Sequence, residues 1–203
     1  MAKVSGIVMP EGKRLLLNAA ARLAARRGSA HGLVLREVAR EAGLNHNTFY
    51  RHFDDMDAML QAIAEDFATQ LRQGIRAARA NAAPGAPPSL DVVGWLFDHA
   101  QQYADVFTVA LRELHGPPGP LRDVVRQTLA DIAQDMHEDL CRFPGLGAID
   151  PVLLRQAVDL LVRHSVWLCL DFLEQPERRE ALLDNAREAF TTLTLGVLAR
   201  SKP

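Results

Sequence analysis

Apolar residues recur at helical spacing along almost the whole chain, and strand-like alternation is absent. Leu15, Leu16, Ala19, Ala20 and Leu23 form the inner stripe of a first helix over 12–27, with Arg26 and Arg27 placed to suit the negative end of its dipole. Leu35, Val38, Ala39 and Ala42 fall at i, i+3, i+4 and i+7, the apolar face of a short second helix. A third, over 46–52, turns Phe49 inward, and Phe53 lies one turn further on. Leu60, Ile63, Ala64, Phe67, Leu71 and Ile75 mark a long fourth helix over 56–80. Further helices are expected over 90–103, 105–115, 121–142, 151–172 and 176–198. Breakers separate them: an Ala/Pro-rich loop at 81–89, Gly-Pro-Pro-Gly-Pro at 116–120, and 144–150. The pattern predicts an all-α fold of nine helices, with residues 1–10 as a mobile arm that carries Lys3.

The second and third helices are joined by an unusually tight connection. Gly43 follows the last periodic residue, where a left-handed residue ends a helix without a Cβ penalty. Leu44 can then tuck inward, and Asn45 is a good N-cap for the third helix. His46, Asn47, Thr48, Tyr50, Arg51 and His52 remain outside, where a buried element would carry apolar residues. Two short helices about a glycine turn, the second with hydrogen-bonding side chains outward, make a helix-turn-helix suited to the DNA major groove. A merely solvated helical hairpin is the alternative.

Thr48, Phe49, Tyr50, His52 and Phe53 match the run Thr-(Leu/Phe)-Tyr-x-(His/Tyr)-Phe behind a glycine turn. On these residues the stretch 12–65 resembles the DNA-binding domain of the TetR family of bacterial transcriptional regulators. The resemblance implies a helix-turn-helix domain over 1–55 and a helical ligand-binding and dimerisation domain over 56–203. It implies a homodimer, with the last two helices paired across a twofold axis. It also implies a palindromic double-stranded operator, with half-sites roughly 34 Å apart. His46 and Asn47 would reach base edges, and Arg51 is placed for guanine. Thr48, Tyr50 and His52 would touch phosphates. Arg36 and Asn45 complete the DNA-binding set. Packing of Tyr50 on the first helix, and local packing or capping by His52, are the alternatives. Two positions depart from the family: Val34 stands where a capping Ser or Thr is usual, and Met56 where a Lys is common.

A net charge of −2 divides unevenly. Residues 1–60 hold nine basic and six acidic side chains, a balance of +3, which leaves −5 for the rest. Phosphate attraction is therefore confined to one end. Cys141 and Cys169 are too few for a disulfide framework and point to a reducing cytoplasm. The first residues carry no apolar signal core, and the apolar stretch 157–173 is interrupted by Asp159, Arg163, His164 and Asp171, so no membrane association is expected.

The runs Leu-Arg-Glu-Val-Ala-Arg-Glu-Ala-Gly (35–43) and Phe-Tyr-Arg-His-Phe-Asp-Asp-Met-Asp (49–57), with an apolar residue in place of the lysine at Met56, and the run Leu-Arg-Glu-x-x-Gly from Leu111 to Gly116 resemble the TetR-type repressors of unsaturated fatty-acid synthesis that respond to acyl-CoA thioesters. The body is accordingly expected to bind an acyl-CoA in an apolar tunnel among its fourth to eighth helices. The candidate ligand residues are Phe67, Leu71, Trp95, Phe97, Tyr103, Phe107, Leu111 and Leu129, each of which also reads as plain core. His99, Arg112 and His115 could meet a polar head group, with an Arg112–Glu113 ion pair as the alternative. Trp167 and Cys169 read as packing within the eighth helix. His137 and Cys141 have metal-ligand spacing, but two donors make no site. No cofactor or metal is expected. The motifs of hydrolases, zinc peptidases and nucleotide-binding enzymes are absent, so no enzyme is expected. Two other readings keep the DNA-binding head: a repressor of an efflux or catabolic gene sensing a drug or aromatic metabolite, and a nucleoid or division-linked protein with no small-molecule sensor.

Overall fold

The computed structural model describes residues 9–81, 89–142 and 149–200, and among these it has nine α-helices and no strand. Most of the expected N-terminal arm, with Lys3, and the interiors of the loops at 81–89 and 144–150 lie outside the described residues.

Three helices build the head: α1 (Glu11–Arg27), α2 (Leu35–Glu41) and α3 (His46–Tyr50). Gly28 closes α1 at φ +77°, and Gly43 makes the turn between α2 and α3 at φ +68°, the left-handed region that favours glycine. The Asn45 side chain accepts a hydrogen bond from the Asn47 N–H at 3.0 Å and so caps α3. Val34 supplies no side-chain cap to α2. The third helix is shorter than its periodicity suggests, because Arg51 and His52 form a turn. The Phe53 N–H still bonds the Phe49 carbonyl at 2.9 Å, so both rings stay on the inner side.

From Asp55, whose carboxylate accepts from the Ala58 N–H at 2.7 Å, the chain enters α4 (Met56–Ala80). At 25 residues it runs roughly 38 Å and links head to body. The body continues with α5 (Ser89–Gln102), α6 (Ala104–Glu113), α7 (Pro120–Arg142), α8 (Pro151–Glu174) and α9 (Arg179–Arg200). Pro176 opens a short 3₁₀ turn ahead of α9 rather than the helix itself. One contiguous apolar core crosses from the head (Leu16, Phe49) into the body (Phe67, Phe97, Phe172). Each such buried side chain contributes about 1.5–3 kcal/mol, so the head is welded to the body by packing.

Two features fix α4 against its neighbours. Trp95 of α5 lies flat against Gly74, where a Cβ would meet the indole Cζ2 at 1.7 Å. On the other side Arg72 pairs with Asp131 at 2.7 Å, Arg76 with Asp135 at 3.3 Å and Arg79 with Asp139 at 3.2 Å. The nearly constant offset between partners means that α4 and α7 run parallel.

Candidate DNA-binding surface and ligand cavity

The outer face of α3 is polar because its inner face is fully committed to Phe49, which is buried against Phe53 with ring centroids 5.5 Å apart. His46, Asn47 and Arg51 are exposed, and Thr48 is half-buried. Tyr50 is 61% exposed, with the Phe49 ring edge-on to it at 5.8 Å. His52 does pack locally: its ring meets Phe53, and its Nε2 faces Gly12 at the start of α1, where a Cβ would sit 3.0 Å away. Asn45 spends its side-chain oxygen on the cap.

Much of the head's positive charge is already matched. Arg22 and Arg26 both bond Glu41, at 3.3 and 3.0 Å, and Arg27 bonds Glu37 at 2.8 Å. Arg26 and then Arg22 hold the Glu41 carboxyl below its ordinary range. Arg36, Arg40 and Arg51 make no ion pair among the described residues, and Lys13 sits over the Phe53 ring. The head cations without an ion pair among the described residues are thus Lys13 of α1, Arg36 and Arg40 of α2, and Arg51 just after α3.

Glu113, at the end of α6, is buried, and one of its oxygens accepts from both the Ser29 hydroxyl and the Ala30 N–H, each at 2.8 Å. It thereby holds the turn between α1 and α2 from the body side. Gly116 makes room for it, since a Cβ there would lie 2.6 Å from Glu113 Oε2. An Arg112–Glu113 ion pair does not form, because adjacent helical residues point to different faces. Arg112 is exposed instead, with Nη1 3.8 Å from where a Cβ on Gly28 would be.

Between α4, α5, α6, α7, α8 and α9 lies a cavity of about 330 Å³, within the size range of small-molecule pockets. It runs along α8 from Leu154 to Cys169, roughly 22 Å of helix. Its wall is aliphatic, with Phe107 and Phe190 as the aromatic members and Arg79 and Asp139 as the charged ones. Burial pushes the Cys169 thiol up, so it lines the wall as a neutral group.

The residue pattern and the architecture agree with three comparisons. Residues 16–63 match the model of bacterial regulatory proteins of the tetR family. An uncharacterised HTH-type transcriptional regulator of Haemophilus influenzae is 31% identical over 138 residues, which cover 68% of this chain and 67% of that protein. This chain belongs to the TetR family. As a TetR-family protein it is a DNA-binding transcriptional regulator of helix-turn-helix type, in a family of regulators rather than enzymes. The fatty acid degradation regulator FadR from Bacillus halodurans has the same fold, with a TM-score of 0.73 at 17% identity over 91% of this chain and 95% of that one. So does the regulator FadR from Bacillus subtilis in complex with stearoyl-CoA, at a TM-score of 0.70 and 15% identity over 89% and 96% of the two chains. Among the described residues of this TetR-family regulator, no helix is long and apolar enough to cross a membrane.

Of the residues expected from sequence to line a ligand site, Leu71, Phe107, Leu111 and Leu129 reach the cavity wall. Phe67, Trp95, Phe97, His99, Tyr103 and Arg112 do not. Aromatic rings satisfy one another instead: Phe67 meets Phe107 edge-on at 5.4 Å, and Phe97 stacks on Phe172 at 4.7 Å under Arg179. Trp95 stacks on His99 at 4.8 Å, and the Tyr103 ring lies 4.9 Å from that imidazole, just ahead of α6. His115 is exposed. Sequence reasoning placed the pocket among the fourth to eighth helices but named no wall residue of α8, such as Leu161 or Val166, and gave α9, with Phe190 and Leu193, only to pairing between subunits. The breadth of the apolar arc on α8 was the available signal, since one helix face cannot use all of it. Trp167, expected to pack within the chain, is 58% exposed. Cys141 Sγ and His137 Nε2 approach to 3.6 Å, but no group of three metal-binding side chains occurs among the described residues.

Proposed function

We propose that this TetR-family protein is a homodimeric repressor of lipid or fatty-acid genes whose operator binding is controlled by a fatty acyl-CoA-like effector. The observation that carries the effector half is the cavity: long, aliphatic and charged at one end. A long acyl chain gains from burial along such a wall at roughly 0.8 kcal/mol per CH₂. The scarcity of aromatic wall residues favours this ligand over a drug or aromatic metabolite, which would stack. An open cavity in the body also argues against a purely structural, sensorless protein. The stearoyl-CoA held by the Bacillus subtilis relative of the same fold is consistent with this reading.

In the proposal, the DNA-facing residues are Arg36, Asn45, His46, Asn47, Thr48, Tyr50, Arg51 and His52, with the head ending near residue 55. His46, Asn47 and Arg51 read bases; Thr48, Tyr50 and His52 hold the backbone. The partner subunit packs on α8 and α9, where Val152, Leu160, Trp167 and Leu195 are exposed large apolar side chains. The effector acts only through unequal affinity for the DNA-competent and incompetent arrangements.

The test is a binding titration of the full chain on DNA from its own upstream region, at fixed salt, with and without palmitoyl-CoA. Tight binding that shifts with palmitoyl-CoA supports both halves. Tight binding indifferent to it removes the effector and keeps the regulator.

A further inference from the structure

The cavity is chemically polarised. Leu71 of α4, Leu129 of α7 and Phe107 and Leu111 of α6 line one part of the wall. Arg79 and Asp139 stand eight and ten residues further along the same parallel helices, roughly 12–15 Å away. Leu140, Leu154 and Val197 pack together at this second end. The one cation of the described wall is thus set at one end of an aliphatic tunnel.

Arg79 also differs from its two counterparts in the α4–α7 ladder. Its side chain is 13% exposed, against 33% for Arg72 and 63% for Arg76. A guanidinium carries five N–H donors in a planar fork. Among the described residues Arg79 makes one hydrogen bond, from Nη1 to Asp139 Oδ2 at 3.2 Å. Asp139 is half-exposed and shared with Arg142. Burial works against the charge on Arg79, and Asp139 is the largest opposing influence. A largely buried guanidinium with a single hydrogen bond, on a residue of the wall at the end of an apolar tunnel, suits an anionic oxygen group.

We propose that Arg79 anchors the anionic group of an amphiphilic ligand, a fatty carboxylate or the phosphate of an acyl thioester, whose apolar tail points along α8 toward Phe107 and Leu111. This deepens the effector reading above and rests on it. The orientation has a functional content: the tail end meets α6, the helix that ends in Glu113 and its hold on the α1–α2 turn. Tail length, rather than head-group identity, is then what α6 senses.

The experiment measures binding of palmitate, palmitoyl-CoA, octanoate, octanoyl-CoA and hexadecanol to the full-length protein by calorimetry, in the unsubstituted protein and in Arg79→Gln, Asp139→Asn and Leu111→Trp. The unsubstituted protein is expected to bind at least one anionic probe about tenfold or more tightly than the alcohol, the scale of a charge-assisted hydrogen bond. Palmitate and palmitoyl-CoA separately tell carboxylate from phosphate as the anchored group. Arg79→Gln should erase that preference and leave hexadecanol binding unchanged. Asp139→Asn frees the guanidinium and should tighten the anionic probe several-fold, a gain that misfolding cannot mimic. Leu111→Trp should weaken the sixteen-carbon probes while sparing octanoate or octanoyl-CoA. An unsubstituted protein that binds none of the probes overturns the effector reading and this inference together. Binding in which Arg79→Gln keeps the preference, or Asp139→Asn weakens the anion, overturns the anchor alone. Equal loss of short and long probes in Leu111→Trp overturns the orientation.

Discussion

Gly74 offers a test in which the sign of the effect depends on a single neighbour. In a helix interior, Gly→Ala is ordinarily stabilising by about 1 kcal/mol, because alanine loses less backbone freedom. Here the new methyl would lie 1.7, 2.2 and 2.5 Å from three indole atoms of Trp95. Carbon contacts settle at about 3.5–4.0 Å, so the ring must retreat by roughly 2 Å. Overpacking of this kind costs about 1–3 kcal/mol. Retreat also breaks the Trp95–His99 stack, now at 4.8 Å and 16°, an arrangement worth about 0.5–1.5 kcal/mol beyond its buried area. Subtracting the helix gain leaves Gly74→Ala destabilised by about 0.5–3.5 kcal/mol. In a Trp95→Leu background the obstacle is gone, and the same change should stabilise by up to about 1 kcal/mol. Urea unfolding of the four proteins at one protein concentration, read by circular dichroism, gives the comparison. If Gly74→Ala stabilises in both backgrounds, Trp95 does not occupy the space above Gly74 and the packing described for α4 and α5 is wrong.

Three further outcomes follow from the head and the cluster beside it. Glu113→Ala should cost about 2–3 kcal/mol, since it strips a buried N–H of its charged acceptor. Glu113→Gln keeps an acceptor oxygen and should stay within about 1 kcal/mol, with faster hydrogen exchange at Ala30 marking the alanine variant. Arg36→Ala should lower the slope of log affinity against log salt on operator DNA by about one unit; an unchanged slope would place Arg36 off the phosphates. Burial holds the His99 pKa below its ordinary 6.5. The unfolded chain therefore takes up the proton first, and stability present above pH 6.5 is lost as pH falls below it. His99→Phe should flatten that part of the stability–pH curve, which urea midpoints at pH 7 and pH 5 will measure.

The helices were legible because their information is local. Periodic stripes, Gly43 and Asn45 specify the head within a few residues of where they act; the structure keeps Gly43 and Asn45 in their places, while the inner face of α1 is broader than the expected stripe, burying Leu17, Ala21 and Ala24 with Leu16, Ala19 and Ala20 and leaving Leu15 and Leu23 half-buried. The Ser29–Glu113 contact spans 84 residues of sequence and was hidden behind a nearer partner, Arg112, that helix geometry forbids. The cavity was the hardest feature to foresee. A void is defined by what side chains fail to fill, and apolarity alone does not distinguish a filled position from an unfilled one. Large aromatics were the natural candidates, yet Phe97 and Phe172 fill space with each other while modest aliphatics such as Val158 and Leu161 border the gap.

The α4–α7 ladder has a consequence for motion. Its teeth repeat every turn on both helices, and Arg72 already reaches two of them, Asp131 at 2.7 Å and Asp135 at 3.6 Å. A rotation of α4 about its own axis would part every pair at once. A slide of one turn, about 5.4 Å, would merely pass Arg72 to Asp135 and Arg76 to Asp139. The part-exposed Arg72 and Arg76 pairs contribute about 0–1 kcal/mol each, so the electrostatic toll of such a step falls mainly on the more buried Arg79, which gives up Asp139. In mechanical terms the ladder is a rack: it sets the bearing of the helix that carries the head while leaving its travel to be opposed by the apolar packing and by the buried Arg79 at its end.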